Sequence, residues 1–380
     1  MADPRLTELA QALVSIDSTN PSLVDGGAGE VAIAAFVAAW GRQRGFDVRV
    51  IDASPRRPSV VVTYTGTGGG RTLLLNAHMD TVGGSGLPVG HSLPFVSGGR
   101  LYGRGALDTK GGLAAFMMAL DRLRGMDLPG TVILTAVADE ECESIGTAAL
   151  LTSVSADGAV VAEPTQLALT TMHKGFVWIE VEVFGFAAHG SLWEVGVDAI
   201  AKAGFVLTGI DQLANNLRTG PQHPVLGPAS VHISVIAGGT GMSTYPARCV
   251  IGIERRTLPG ETTDGVLDEV RAILNRARGR DATFHAEARA TFQRPALEGR
   301  ANTKVVELLA DAARQVGGVA PGNNGFAGWT DASLLDQAGI PSVVFGPIGE
   351  GLHGAEEWVD LDSLEKVYAT VLATAVKFCG

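Results

Sequence analysis

The run Thr72-Leu-Leu-Leu-Asn76 constrains this chain more than any other, because a strand that is apolar on both faces has to be covered on both. Comparable apolar runs recur at 131–137 and 159–162, separated by helical stretches at 110–124 and 146–154. Strand and helix in alternation predict an α/β domain around a buried sheet. The material for such a core is present: 46% of the 380 residues are hydrophobic and only 18% charged. The length predicts two domains. Acidic residues outnumber basic ones 40 to 29, a net charge of −11, which argues against binding a nucleic acid through its phosphates. Fifty glycines with no collagen-like period predict many tight turns.

The same pattern extends to both ends of the chain. Asp3-Pro4 opens a helix carrying Leu6, Leu9, Leu13 and Ile16, and a second helix runs from about Glu30 to Arg44. Strands are expected at 48–51 and 59–65, and Gly66-Thr-Gly68-Gly69-Gly70, between two strands, reads as a hairpin loop and not as a phosphate cradle. From Phe176 the pattern changes to an alternating strand (Val177, Ile179, Val181, Val183) and a long helix whose Ala199, Ala203, Val206, Ile210 and Leu213 share a face. Strands at 230–236 and 248–254, a helix at 264–278 and a strand at 282–292 follow. They predict an inserted α+β domain, an antiparallel sheet with two helices on one face. Helices 302–316 and 331–338, strand 342–345 and a helix from about Asp362 then resume the α/β alternation. Residues 1–176 and 292–380 are therefore read as one discontinuous domain, with 177–291 inserted as a unit of roughly 115 residues.

Cys142, Cys249 and Cys379 are too few and too scattered for a disulfide framework or a Cys-rich zinc site. No basic segment leads an apolar stretch at the N-terminus, and no 18-residue apolar window occurs. A soluble, cytoplasmic protein with no membrane partner is expected.

Polar residues with chemistry stand where the apolar runs end, the place where open α/β sheets hold ligands. They are His78-Met-Asp80, Asp108, Asp139-Glu140-Glu141, Glu163 and His353. A hydrolytic two-metal site needs neutral nitrogen or anionic oxygen ligands and one carboxylate able to bridge. Two histidines and three carboxylates supply these, and Glu140 is left to face the water. Alternation in His78-x-Asp80 puts both side chains on one side, so Asp80 is expected to hold the second imidazole nitrogen.

These residues resemble the dinuclear zinc amidohydrolase and exopeptidase family of acetylornithine deacetylase, succinyl-diaminopimelate desuccinylase, aminoacylase and glutamate carboxypeptidase. The motifs carrying the likeness are Asn76-Ala-His78-Met-Asp80-Thr-Val, Gly103-Arg-Gly-x-x-Asp108-x-Lys110-Gly-Gly, Asp139-Glu140-Glu141, Glu163-Pro164, and Phe345-Gly-Pro347 followed by His353. The resemblance implies a zinc-exopeptidase-like fold with a mixed central sheet flanked by helices, and an inserted lid and dimerisation domain. It implies two Zn²⁺ ions, replaceable by Co²⁺ or Mn²⁺: one on His78 and Glu163, the other on Glu141 and His353, with Asp108 shared and Glu140 as general base. Ala188-His189-Gly190-Ser191 resembles the lid histidine that reaches a partner subunit's site, and Arg256-Thr-Leu-Pro259-Gly260 the arginine that clasps a substrate carboxylate. Two residues depart from the family pattern. Ser243 stands where an Asn is usual, and Trp193 where a Pro commonly follows the lid histidine.

The implied reaction is hydrolysis of an N-acyl amino acid by a deacylase acting as a homodimer. A carboxypeptidase or dipeptidase of the same mechanism is the alternative, and a non-catalytic metal scaffold would have no need of Glu140. His91, His223, His232 and His285 lack a motif and read as ordinary, and Cys142 is given no role. No Gly-x-Ser-x-Gly, His-Glu-x-x-His or Walker loop is present.

Overall fold

The computed structural model describes residues 3–83, 93–300, 302–317 and 323–380; His91 lies outside them. The chain divides into two compact units, one of Met1–Thr171, Gly299–Asn324 and Thr330–Gly380, the other of Met172–Glu298 and Gly325–Trp329.

The first unit is built on a mixed sheet in the order Asp47–Asp52, Pro58–Tyr64, Thr131–Val137, Thr72–His78, Gly158–Val161, Ser342–Val344 and Leu169–His173. Its centre is parallel, with Thr72–His78 between Thr131–Val137 and Gly158–Val161. Leu73, Leu75, Val132 and Leu134 enter a core shared with the helices Pro4–Val14, Val31–Gln43, Gly111–Leu123, Lys304–Gly317 and Leu361–Cys379. Leu74 and Val61 point the other way and are buried too, so the sheet is covered on both faces.

The glycine run after Tyr64 is not a hairpin loop. Thr131–Val137 lies between the two strands the run connects, antiparallel to Pro58–Tyr64 and parallel to Thr72–His78. The run therefore has to pass over the start of that intervening strand at close range. A Cβ on Gly66 would fall 2.0 Å from the Gly130 carbonyl oxygen, and one on Gly70 2.3 Å from that of Cys379. Glycine is needed there for backbone approach.

A small sheet of Phe95–Ser97, Arg100–Tyr102, Trp358–Asp360 and Gly349–Glu350 was not legible beforehand, since strands of two or three residues carry no period. It brings the segment around His353 beside the one leading to Asp108.

The second unit is a four-stranded antiparallel sheet in the order Ser230–Gly238, Arg248–Thr257, Gly175–Phe184 and His285–Arg294. Val177, Ile179, Val181 and Val183 are buried with Ala203, Val206 and Ile210 of Ala199–Thr219 and with Val266, Val270 and Ile273 of Thr263–Arg280. Asp198 and Thr262 cap the two helices through bonds to the backbone N–H groups of Ala201 and Gly265. The three cysteines are free, and no helix among the described residues is long and apolar enough to cross a membrane.

Gly70→Ala is expected to cost about 1–3 kcal/mol, because backbone must move to admit the methyl group. Gly125→Ala, whose Cβ meets open space, should leave the melting temperature unchanged. Thermal denaturation of the two variants checks the pair, and equal melting temperatures would contradict the crossover reading.

Candidate metal centre

Parallel strands deliver the site. His78 ends Thr72–His78, Asp139 to Glu141 follow Thr131–Val137, and Glu163 follows Gly158–Val161. Because these neighbours run in the same direction, their C-terminal ends open at one edge. Asp108 and His353 do not close strands as expected: Asp108 comes to that edge from the short helical turn Ala106–Lys110, in which its own backbone is not helical, and His353 from a loop with a positive φ of 56°. The Asp108–Thr109 peptide bond is cis.

Two groups of donor atoms result, each with all atoms within 4.8 Å of one another: His78, Asp108 and Glu163, and Asp108, Glu141 and His353. Asp108 belongs to both. Its Oδ1 lies 3.0 Å from His78 Nε2 and its Oδ2 3.5 Å from His353 Nε2. Glu163 Oε1 is 3.9 Å from His78 Nε2, and Glu141 Oε2 is 3.0 Å from His353 Nε2. Glu140 stands beside the first group, its Oε2 4.0 Å from His78 Nε2. Imidazole nitrogen with carboxylate oxygen is a donor set suited to zinc and similar divalent ions, so the residues fit the implied metals.

Asp80 differs from expectation in one contact. The nearer partner of His78 Nδ1 is the main-chain oxygen of Asp80, at 2.9 Å, with the carboxylate Oδ1 at 3.6 Å. The carboxylate is engaged elsewhere: Oδ1 accepts from the Glu140 N–H, and Oδ2 from the Glu141 N–H and the Asn20 amide. Asp80 thus orients His78 through its backbone and the Glu140-Glu141 turn through its side chain.

Behind this turn lies a buried network that sequence reasoning missed. Arg57 donates to both oxygens of Glu30 and, at 2.7 Å, to Asp139, while Asn20 bridges Asp80 and Asp139. No local pattern marks Arg57, which is 82 positions from Asp139. Asp331 is also buried and also missed; it accepts from Thr147 at 2.6 Å and adds negative charge near Glu140 and Glu163.

The electrostatics follow from crowding. Burial, reinforced by the charge of Glu163, holds the Glu140 carboxyl well above the usual carboxylate range, and burial with Asp108 does the same to Glu163. Asp108 goes the other way: burial opposes its ionisation, but hydrogen bonds from His353 and His78 keep it low. Bonds to Asp108 and Glu141 push His353 up to about 10.

The remaining expected site residues lie in the second unit. His189 is exposed and its Nδ1 is 2.8 Å from Ser191 Oγ. Arg256 Nε donates to Glu254 at 2.6 Å, and its guanidinium lies 5.2 Å from the Phe176 ring centroid. The Ser243 carbonyl accepts from the Gly190 N–H, and Trp193 is 73% exposed. His223 accepts from Val225 and Leu226 N–H in a turn, an ordinary role.

Comparison with known proteins gives the family and the fold. The profile of Peptidase family M20/M25/M40 matches residues 74–377. An acetylornithine deacetylase from Myxococcus xanthus is 31% identical over 99% of this chain and 98% of its own length. A tripeptidase structure from Staphylococcus aureus superimposes with a TM-score of 0.82 at 23% identity, covering 100% of this chain and 99% of that one. A dinuclear metal binding peptidase of the M20 family from Bacillus subtilis does so at 0.71 and 18% identity, with 98% of each chain covered.

Metal ligands must be unprotonated, so an ion entering beside His353 displaces a proton. Zinc added to chelator-stripped protein in weak buffer is expected to release protons, and to bind more tightly at pH 8 than at pH 6. An affinity independent of pH would contradict the charge balance described.

Proposed function

Because the chain belongs to peptidase family M20/M25/M40 and is a metal-dependent amidohydrolase or peptidase, we propose that it removes the acyl group of an N-acyl amino acid. The observation that carries this reading is Glu140 standing beside two donor groups that share Asp108. The full-length likeness to a deacetylase supports a deacylase, and cleavage of a dipeptide or of a C-terminal residue by the same chemistry is the second reading. The proposed ions are zinc, with Co²⁺ or Mn²⁺ as substitutes. His78 and Glu163 would hold one, Glu141 and His353 the other, and Asp108 both.

Two divalent ions held there would polarise the amide carbonyl and acidify water. Glu140 takes the water's proton and returns it to the leaving nitrogen. Asp80 fixes the backbone of Glu140 and Glu141 so that adjacent carboxylates serve different purposes. Arg256 exchanges Glu254 for a substrate carboxylate, and His189 donates to the developing oxyanion of the neighbouring subunit in a homodimer joined through residues 177–291. Trp193 and the short Ser243 shape an apolar pocket for a bulky group. The free thiols fit a reducing, cytoplasmic setting.

Glu140→Gln is expected to keep its metal and to lose about 10²–10⁴ in kcat, since the amide cannot accept a proton. Glu141→Gln should lose metal as well. Assaying these variants and the zinc-loaded protein on a panel of N-acyl amino acids and dipeptides tests the reading; a Glu140→Gln enzyme with near-normal turnover overturns it.

Subunit sharing has its own test. Mixing His189→Ala chains with Glu140→Ala chains should restore activity up to about one quarter of wild type, because half the dimers are mixed and half their sites are whole. Proven subunit exchange without recovery removes His189 from the partner's site.

A further inference from the structure

Glu357 lies four positions beyond His353, immediately before Trp358–Asp360, and is 5% exposed. Its carboxylate is turned toward the segment that carries Asp108. Oε1 accepts from the N–H groups of Leu107 at 2.9 Å and Asp108 at 3.0 Å. Oε2 accepts from the Gly105 N–H at 3.0 Å and from Arg104 Nη1 at 2.8 Å. Four donors fill a carboxylate's capacity, and three of them are backbone. The main chain joins in, the Gly103 N–H donating to the Glu357 carbonyl at 3.0 Å. Arg104 completes the clasp: its other terminal nitrogen donates to the carbonyl of Gly354, next to His353. Gly105 permits this cradle, with φ at 81° and no room for a Cβ, which would meet Thr81 Cγ2 at 2.8 Å.

The two donor groups differ in what holds them. His78 and Glu163 stand at the ends of buried strands, and His78 is 1% exposed. Asp108, which both groups share, sits in the short helical turn Ala106–Lys110, His353 sits on a loop, and the His353 side chain is 55% exposed. The bonds of Glu357 and Arg104 run directly from one of these segments to the other. We infer that Glu357, with Arg104, is a positioning residue that sets the spacing of Asp108 and His353 and so forms the ion site made by Asp108, Glu141 and His353. The inference rests on the two-ion reading above and gives the second ion support at two of its ligands, Asp108 and His353, where the first has it only at the shared Asp108.

Glu357→Gln tests it. One acceptor oxygen would remain, and the amide NH₂ would face donors, so two of the four bonds are lost. Stepwise zinc affinities are measured by chelator competition on the stripped protein, beside its melting temperature. The first affinity is expected to stay within about threefold of wild type, and the second to fall about 10–100-fold, the usual effect of losing a group that orients a metal ligand. Excess zinc should then restore kcat with KM unchanged. Arg104→Lys keeps the charge but cannot span Glu357 and Gly354 in the same geometry; it should shift the same second affinity, and it carries the test alone where Glu357→Gln fails to fold. A role confined to fold stability lowers the melting temperature and leaves both affinities unchanged. That result, or an equal fall in both affinities, overturns the inference. Wild-type protein that binds a single ion overturns instead the two-ion reading on which it rests.

Discussion

Buried negative charge is the constraint on which the rest of this structure depends. Asp80, Asp108, Asp139, Glu140, Glu141, Glu163 and Asp331 converge at one edge of a sheet whose strands are otherwise apolar. Carboxylates withdrawn from water are costly unless each meets a cation or several donors. The protein answers from two sides. Behind the turn, Arg57, Asn20 and the backbone N–H groups of Glu140 and Glu141 satisfy Asp80 and Asp139. In front, His78 and His353 are the only imidazoles of the two donor groups, too few to neutralise the carboxylates facing them. The remaining charge calls for metal ions, which ties fold, metal dependence and chemistry to one electrostatic balance.

What was legible in the sequence follows from how such a balance is encoded. His78, Glu140, Glu141 and Glu163 could be picked out because each closes an apolar run, and a polar residue at the end of a buried strand has nowhere to go but the sheet edge. Asp108 and His353 were expected at the ends of apolar runs as well, but they reach the edge from a helical turn and a loop, so only their motifs marked them correctly. The glycine run could not be resolved from its neighbours, because whether two successive strands pair or admit a third between them is decided by a strand some 60 residues further on. The supporting residues were hidden for the same reason: Arg57 acts on Asp139, and Glu357 on Asp108 at a separation of 249 positions. Contacts of that range leave no period, cap or spacing to read.

Asp80 shows the limit of alternation as an argument. Period-two geometry placed its side chain on the same side as that of His78, yet the carboxylate is taken by three stronger claims, and the backbone oxygen meets the imidazole instead. A side chain's direction can be read from a strand, but the partner it ends with is set by the donors converging from other segments.

The interleaving of Thr131–Val137 between Pro58–Tyr64 and Thr72–His78 bears on how the chain reaches this state. Pro58–Tyr64 can pair early with Asp47–Asp52, but no local ribbon can form from residues 58–78, so Thr72–His78 is not joined to that pair until residue 137 has emerged from the ribosome. The parallel row is extended only when Ser342–Val344 docks beside Gly158–Val161. Meanwhile the intervening four-stranded unit has all but a few of its residues in hand and a core of its own. Assembly from distant pairings is slow and exposes apolar strands while it proceeds. Synthesis of this protein should therefore pass through a stage in which the later-encoded unit is already ordered while the earlier-encoded sheet still lacks a strand.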